Sequence, residues 1–317
     1  MRLGFGCVNL GTVSGGRSWR ADVRLVHEAV DRGVRVFDTA DAYGNGASER
    51  IVGRALGGRR DQVEIATKGG YLFRERSRPE VAARRLAKEA RDRLRSAPEQ
   101  TFDHGPGDDA QDVSARHLRA ALDASLRRLQ TDHVDVYQLH GPRQVRPELL
   151  DDLQDLVSAG KVGRFGVGAE SLDSAVGWSA VDGIDVVQMP VGVLDPEAVD
   201  VVTDVGRHGV EIWARGVFAG GVLAAADRDP QAATSDPKWP LIAGLRDVAA
   251  RHGLDTFALA LGFVKAVPAV STILLGMSTS DHLSRNIDLF AAPPLPTDVL
   301  DEIWSVLGRR DDAGGRV

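Results

Sequence analysis

The stretch "HLRAALDASLRRLQTDHVDVYQLH", residues 117–140, carries both signals on which the fold turns. Leu118, Ala121, Leu122, Ser125, Leu126 and Leu129 fall at i, i+3, i+4, i+7, i+8 and i+11, on one face of an amphipathic helix. Then "VDVYQLH" (134–140) reads as a short buried strand, and it ends in a histidine.

The alternation extends both ways. Strand-like runs occur at "LGFGC" (3–7), "VRVFDT" (34–39), "VEIATK" (63–68), 134–140, "VGRFGVG" (162–168), "IDVVQMP" (184–190), "VEIWA" (210–214) and "VSTILLG" (270–276), with longer helical segments between them. Strand then helix, eight times over, predicts an α/β protein of the (β/α)8 TIM-barrel type. A doubly wound sheet is the alternative. No composition shift marks a second domain, so residues 1–317 read as one. Two regions break the rhythm: residues 72–112, a polar insertion or a lid, and residues 215–240, a long loop after a strand. Residues 309–317 read as a frayed tail.

Composition narrows the function. Of 317 residues, 43% are hydrophobic, enough for a large core, and the net charge of −6 speaks against a nucleic-acid binder. A single cysteine, Cys7, excludes a disulfide framework and fits a reducing compartment. No apolar run approaches the roughly 18 residues of a membrane span, and no signal peptide is visible. A cytoplasmic protein acting on a small molecule, as a monomer or weak homo-oligomer, is the expectation.

In a parallel barrel, catalytic groups sit where strands end. Asp38 ends the second strand, Lys68 the third and His140 the fourth, and Tyr43 follows in the loop beyond Asp38. Together they suit carbonyl reduction, which needs a hydride and a proton. A phenol with an ordinary pKa of about 10 is slightly too weak an acid for the task. A neighbouring ammonium lowers that value, so Lys68 is expected to make Tyr43 more acidic, with Asp38 holding Lys68. His140 is placed to hydrogen-bond the carbonyl oxygen and orient it.

These residues lie in segments that resemble the aldo-keto reductase family. "FDTADAYGNGASERIVGRAL" (37–56), "ATKGG", "SLRRLQTDHVDVYQLHGP" (125–142), "GKVGRFGVG" and "VVQMP" match its motifs in order over nearly the whole chain. The resemblance implies a barrel that uses NADPH, with NADH left open, to reduce an aldehyde or ketone to an alcohol. It assigns the catalytic tetrad to Asp38, Tyr43, Lys68 and His140. It puts Gln188 on the nicotinamide carboxamide and Arg215 against the nicotinamide ring. "GVFAGGVL" (216–223), with Val217 and Gly220, would wrap the pyrophosphate. Gly276, Ser278, His282 and Asn286 in "LLGMSTSDHLSRNI" (274–287) would hold the adenosine end, on a helix capped by Ser278 or Ser280. Departures from the family are also visible. Gly168 and Ala169 replace a Ser-Asn pair, no strong clamp for a 2′-phosphate is present beyond Arg285, and no hairpin precedes the first strand, so something else covers the barrel floor or it stays thinly sealed.

Trp19, Tyr71, Phe73, Phe218 and Trp239 are candidates to line the substrate pocket. No metal-ligand spacing occurs, so no metal is expected. Cys7 reads as a buried structural thiol, and Glu49 as a carboxylate serving the helix dipole in a first turn. Two other function classes stay open: a cofactor-binding regulatory subunit of the same fold, and a non-redox barrel isomerase or lyase.

Overall fold

Each strand-like run forms a strand, and the strands pair in sequence order. The computed structural model describes residues 1–11, 17–73, 110–223 and 237–308. The strands are β1 (Arg2–Gly6), β2 (Val36–Asp38), β3 (Glu64–Gly69), β4 (Val134–His140), β5 (Val162–Gly168), β6 (Val186–Pro190), β7 (Glu211–Arg215) and β8 (Val270–Gly276). All neighbours are parallel, and β8 pairs back onto β1, which closes the barrel and rules out the doubly wound sheet.

Helices cover the outside: α1 (Trp19–Asp31), α2 (Ala47–Leu56), α3 (Ala115–Leu129), α4 (Glu148–Ser158), α5 (Leu172–Ser179), α6 (Glu197–Gly206), α7 (Trp239–Arg251), α8 (Thr256–Lys265), α9 (Ser280–Ala291) and α10 (Thr297–Val306). Helix α3 shows why they form. The Ser114 hydroxyl accepts from the His117 N–H, satisfying an otherwise orphaned donor at the first turn. Leu118, Leu122, Ser125, Leu126 and Leu129 are buried against the barrel. Gln130, at φ 56°, ends the helix in the left-handed region. Each buried leucine contributes about 1.5–3 kcal/mol relative to exposure.

The barrel interior is a separate small core of Val36, Ala66, Val136, Val186, Trp213 and Leu274. The fully buried Trp213 dominates it, which demands small partners. Gly4 is one: a Cβ there would stand 2.5 Å from Leu274 Cδ2. Below this layer four charges close the floor. Arg2 bonds Glu64 at 2.5 Å and Glu211 at 2.9 Å, while Arg164 bonds the same two carboxylates at 2.6 and 2.8 Å. The four come from β1, β3, β5 and β7, the alternate-strand layering of such barrels. Trp213 Nε1 donates to Glu211 from above at 3.1 Å. This ring of ion pairs covers the barrel floor.

The insertion is tied at its base. Tyr71 and Gln111 form an antiparallel bridge, flanked by Leu72 N–H to Ala110 O and Asp112 N–H to Gly70 O, both 2.9 Å. Residues 74–109 of the expected insertion or lid, residues 224–236 of the long loop, and the expected frayed tail at 309–317 lie outside the described residues. No helix among the described residues is long and apolar enough to cross a membrane.

Candidate active site

Lys68 enters the barrel mouth from β3 and is 1% exposed. Its Nζ donates to both oxygens of Asp38, at 2.7 and 2.6 Å, and to the Thr39 carbonyl at 3.1 Å. The Tyr43 hydroxyl lies 3.4 Å away. Tyr43 is aimed inward by a tight turn: Gly44, Asn45 and Gly46 have φ of 58°, 54° and 84° in succession. Glycine enters that region without a Cβ penalty, and asparagine is among the few other residues that tolerate it. Ser48 then pins the turn, donating to Cys7 O at 2.9 Å and bonding the Thr39 hydroxyl at 2.8 Å. His140, ending β4, meets Tyr43 edge-on with ring centroids 5.7 Å apart. The structure thus brings the four sequence-predicted groups together.

The electrostatics differ from the expectation in one respect. Burial raises the Tyr43 pKa, the Lys68 charge pulls it down and Asp38 pushes it up again; the net direction is upward. Burial, helped by Asp38, outweighs the lowering effect of the ammonium, so the phenol is not made more acidic than usual. Burial also opposes the Lys68 charge, but Asp38 and Tyr43 outweigh it and leave the Lys68 pKa raised. The site therefore holds a protonated phenol beside a firmly charged ammonium.

Sequence reasoning missed the next shell. Asp38 Oδ1 also accepts from Gln138 Nε2 at 3.1 Å and from Gln188 Nε2 at 2.9 Å. Gln138 stands two residues before His140 and so shares its strand face, a signal the period of two could have supplied. Glu49 is fully buried, accepting from Thr67 at 2.6 Å and Arg128 at 2.5 Å. A helix-dipole role understates it, because it ties α2, β3 and α3 together one residue behind Lys68. Burial first, and then Glu49, push the nearby Asp41 carboxyl well above its usual range. Cys7 is fully buried, and burial raises its pKa as well, so it is an inert thiol.

The expected cofactor residues line the same end. Gln188, with its Nε2 directed to Asp38, is 2% exposed. Arg215 reaches across to the Ala169 carbonyl at 2.8 Å. The Val217 side chain is buried in the core. Gly220 has φ 63° and open space where a Cβ would stand. Gly276 ends β8, and Ser278 accepts from Asn9 at 3.3 Å, so the loop after β1 joins this corner. The helix cap is Thr279, which accepts from the His282 N–H, not Ser278 or Ser280. The His282 side chain is exposed, and Asn286 is buried with its amide 3.4 Å from the Gly276 carbonyl. Arg285 stacks 4.0 Å from the Phe257 ring centroid and pairs with Asp255 at 2.9 Å.

Of the five aromatic candidates, Tyr71 alone among the described residues is in ring contact with the tetrad, edge-on to His140 at 4.6 Å. Trp19 instead lines a cavity of about 500 Å³ with Arg50, Arg54, Ala124, Arg127, Arg128 and Gln130, between helices outside the strands. Phe73 faces Arg128 of α3, Phe218 packs on Phe257 and Trp239 lies near Arg246 of its own helix.

A closed eight-stranded parallel barrel with an Asp–Lys–Tyr–His cluster at its C-terminal mouth defines a class of enzyme-like barrel. The family model "Aldo/keto reductase family" matches residues 2–307, and the chain belongs to that family. It is similar to an uncharacterized oxidoreductase of Bacillus subtilis, 24% identical over 96% of this chain and 91% of that protein. It is also similar to a D-threo-aldose 1-dehydrogenase of a Pseudomonas species, 26% identical over 95% and 92%. Among solved structures, an aldo-keto reductase from Bacillus halodurans in its holo form superposes with a TM-score of 0.76 at 26% identity, covering 96% of this chain and 91% of the other.

Proposed function

We propose that this chain interconverts a carbonyl compound and the corresponding alcohol with a nicotinamide cofactor, NADPH on family grounds. The observation that carries the reading is the Lys68 ammonium, held between both Asp38 oxygens and 3.4 Å from the Tyr43 hydroxyl at the mouth of the barrel. The aldose dehydrogenase among its relatives supports a carbonyl–alcohol couple.

The residues present fit such a cofactor. Four strands end at the mouth in glycine, at Gly6, Gly69, Gly168 and Gly276, so no side chain stands at those four strand ends. Gly216 and Gly220, at φ 74° and 63° with nothing within 4 Å of an added Cβ, form an open backbone cradle suited to a pyrophosphate. Gln188 and Arg215 would hold the nicotinamide, and Ser278 with Asn286 the adenosine end. The bound cofactor supplies the hydride.

The chain's own groups do the rest. His140 orients the substrate oxygen. Tyr43, kept protonated by burial, gives its proton to that oxygen as negative charge develops there. Lys68 stabilises the phenolate left behind, and Asp38, with Gln138 and Gln188 behind it, keeps Lys68 charged and in place. Purified protein should consume NADPH with at least one member of a panel of aldehydes and ketones. Cofactor binding without turnover across the panel would favour a regulatory subunit, and no binding at all a non-redox barrel.

A further inference from the structure

At the mouth, one carboxylate is held where the fold has cleared space for it. Tyr71 lies edge-on against the His140 ring, centroids 4.6 Å apart, and its hydroxyl donates to Glu170 Oε1 at 2.7 Å. The residue after His140 is Gly141, at φ 57°, and a Cβ there would stand 2.3 Å from the same Glu170 oxygen. Gln111 fixes this corner by donating to the carbonyls of His140 and Gly141 at 3.1 and 2.8 Å. The glycine, the tyrosine and the tied base of the insertion thus converge on one exposed acid beside the tetrad histidine.

We infer that Glu170, positioned by Tyr71, is a specificity-determining residue that disfavours carbonyl substrates carrying a carboxylate or phosphate and favours uncharged ones bearing a hydroxyl donor. The inference rests on the carbonyl-reductase reading and deepens it. The physics is direct. A substrate oxygen oriented by His140 places the rest of the molecule beneath the Tyr71–Glu170 bridge. An anionic substituent there meets a like charge at the exposed rim, whereas a hydroxyl can donate to the carboxylate. Burial and then the bond to Glu170 push the Tyr71 pKa up to about 12, so the phenol stays protonated and able to donate. Among the described residues, two cations of this end are engaged elsewhere: Arg215 donates from Nη2 to the Ala169 carbonyl, and Lys68 is paired with Asp38. The Arg143 charge also reaches Tyr71.

The test compares para-carboxybenzaldehyde with para-(hydroxymethyl)benzaldehyde, which differ chiefly in charge, on the full chain with NADPH. The parent should favour the hydroxymethyl compound in kcat/KM by about tenfold, or about 1.4 kcal/mol. Glu170→Gln should bring the ratio to within about threefold by improving the carboxylate substrate, mainly through KM. Tyr71→Phe keeps the ring against His140 but frees the carboxylate, and should move the ratio the same way. A ratio near one in the parent, or an unchanged ratio in Glu170→Gln with both substrates slowed alike, overturns the inference and leaves the carbonyl-reductase reading standing. Failure to oxidise NADPH with these or any other carbonyls overturns that reading, and the inference with it.

Discussion

The Lys68 ammonium sits between the two oxygens of Asp38, at 2.7 and 2.6 Å, with both side chains almost wholly withdrawn from solvent. Removing one partner leaves the other charged and stranded. Lys68→Met should therefore lower stability by about 3–5 kcal/mol as well as abolish turnover. Adding Asp38→Asn to that variant should recover much of the stability and none of the activity. Denaturant titration of the two variants checks this; equal stability of the single and double variants would show that the pair is not coupled.

The floor ring makes a pH prediction. Burial favours the neutral form of Glu211, but the bond from Trp213 and the charges of Arg164 and Arg2 prevail and hold its pKa below the usual value. A carboxylate whose folded pKa is depressed contributes stability that is present above the unfolded pKa of about 4.3 and lost as pH falls through the folded value. Thermal melts of the parent should fall steeply below that point. Glu211→Gln should melt lower at neutral pH and show a shallower acid limb; parallel curves would remove Glu211 from the acid response.

Asp41 has the opposite sign. Its folded pKa is raised, so its charge opposes folding once pH passes the unfolded carboxylate value of about 3.9. Asp41→Asn, an uncharged isostere, should leave stability equal or higher at neutral pH. A loss of more than about 2 kcal/mol would mean that the ionised carboxylate is needed.

Gly141 is required by its positive φ, and an added Cβ would also push aside the exposed Glu170 carboxylate, 2.3 Å from it. Gly141→Ala should cost about 1–3 kcal/mol and displace Glu170. A melt indistinguishable from the parent's would contradict that geometry.

The barrel was legible because period-two and helical patterns repeat eight times, and only a few topologies accommodate that. The tetrad was legible because strand ends converge on one face, which makes residues far apart in sequence neighbours by rule. Gln138 could have been found from its register with His140. The floor ring is harder to read, since Arg2, Glu64, Arg164 and Glu211 look like ordinary strand-edge charges until closure brings β1, β3, β5 and β7 together. Glu170 gives no local signal, because its place depends on the absence of a side chain at Gly141 and on a tyrosine 99 positions away. The lowering effect of Lys68 on Tyr43 was legible, but the net direction was not, because sequence shows which charges are near and not how far burial and Asp38 offset them.

The central claim is that Tyr43 delivers the proton while the rest of the site binds and orients. Tyr43→Phe removes one oxygen from a partly buried ring and should leave NADPH affinity within about twofold of the parent. Its kcat for carbonyl reduction should fall by about a hundredfold to ten-thousandfold. A Tyr43→Phe protein that binds NADPH and turns over at the parental rate would contradict the account.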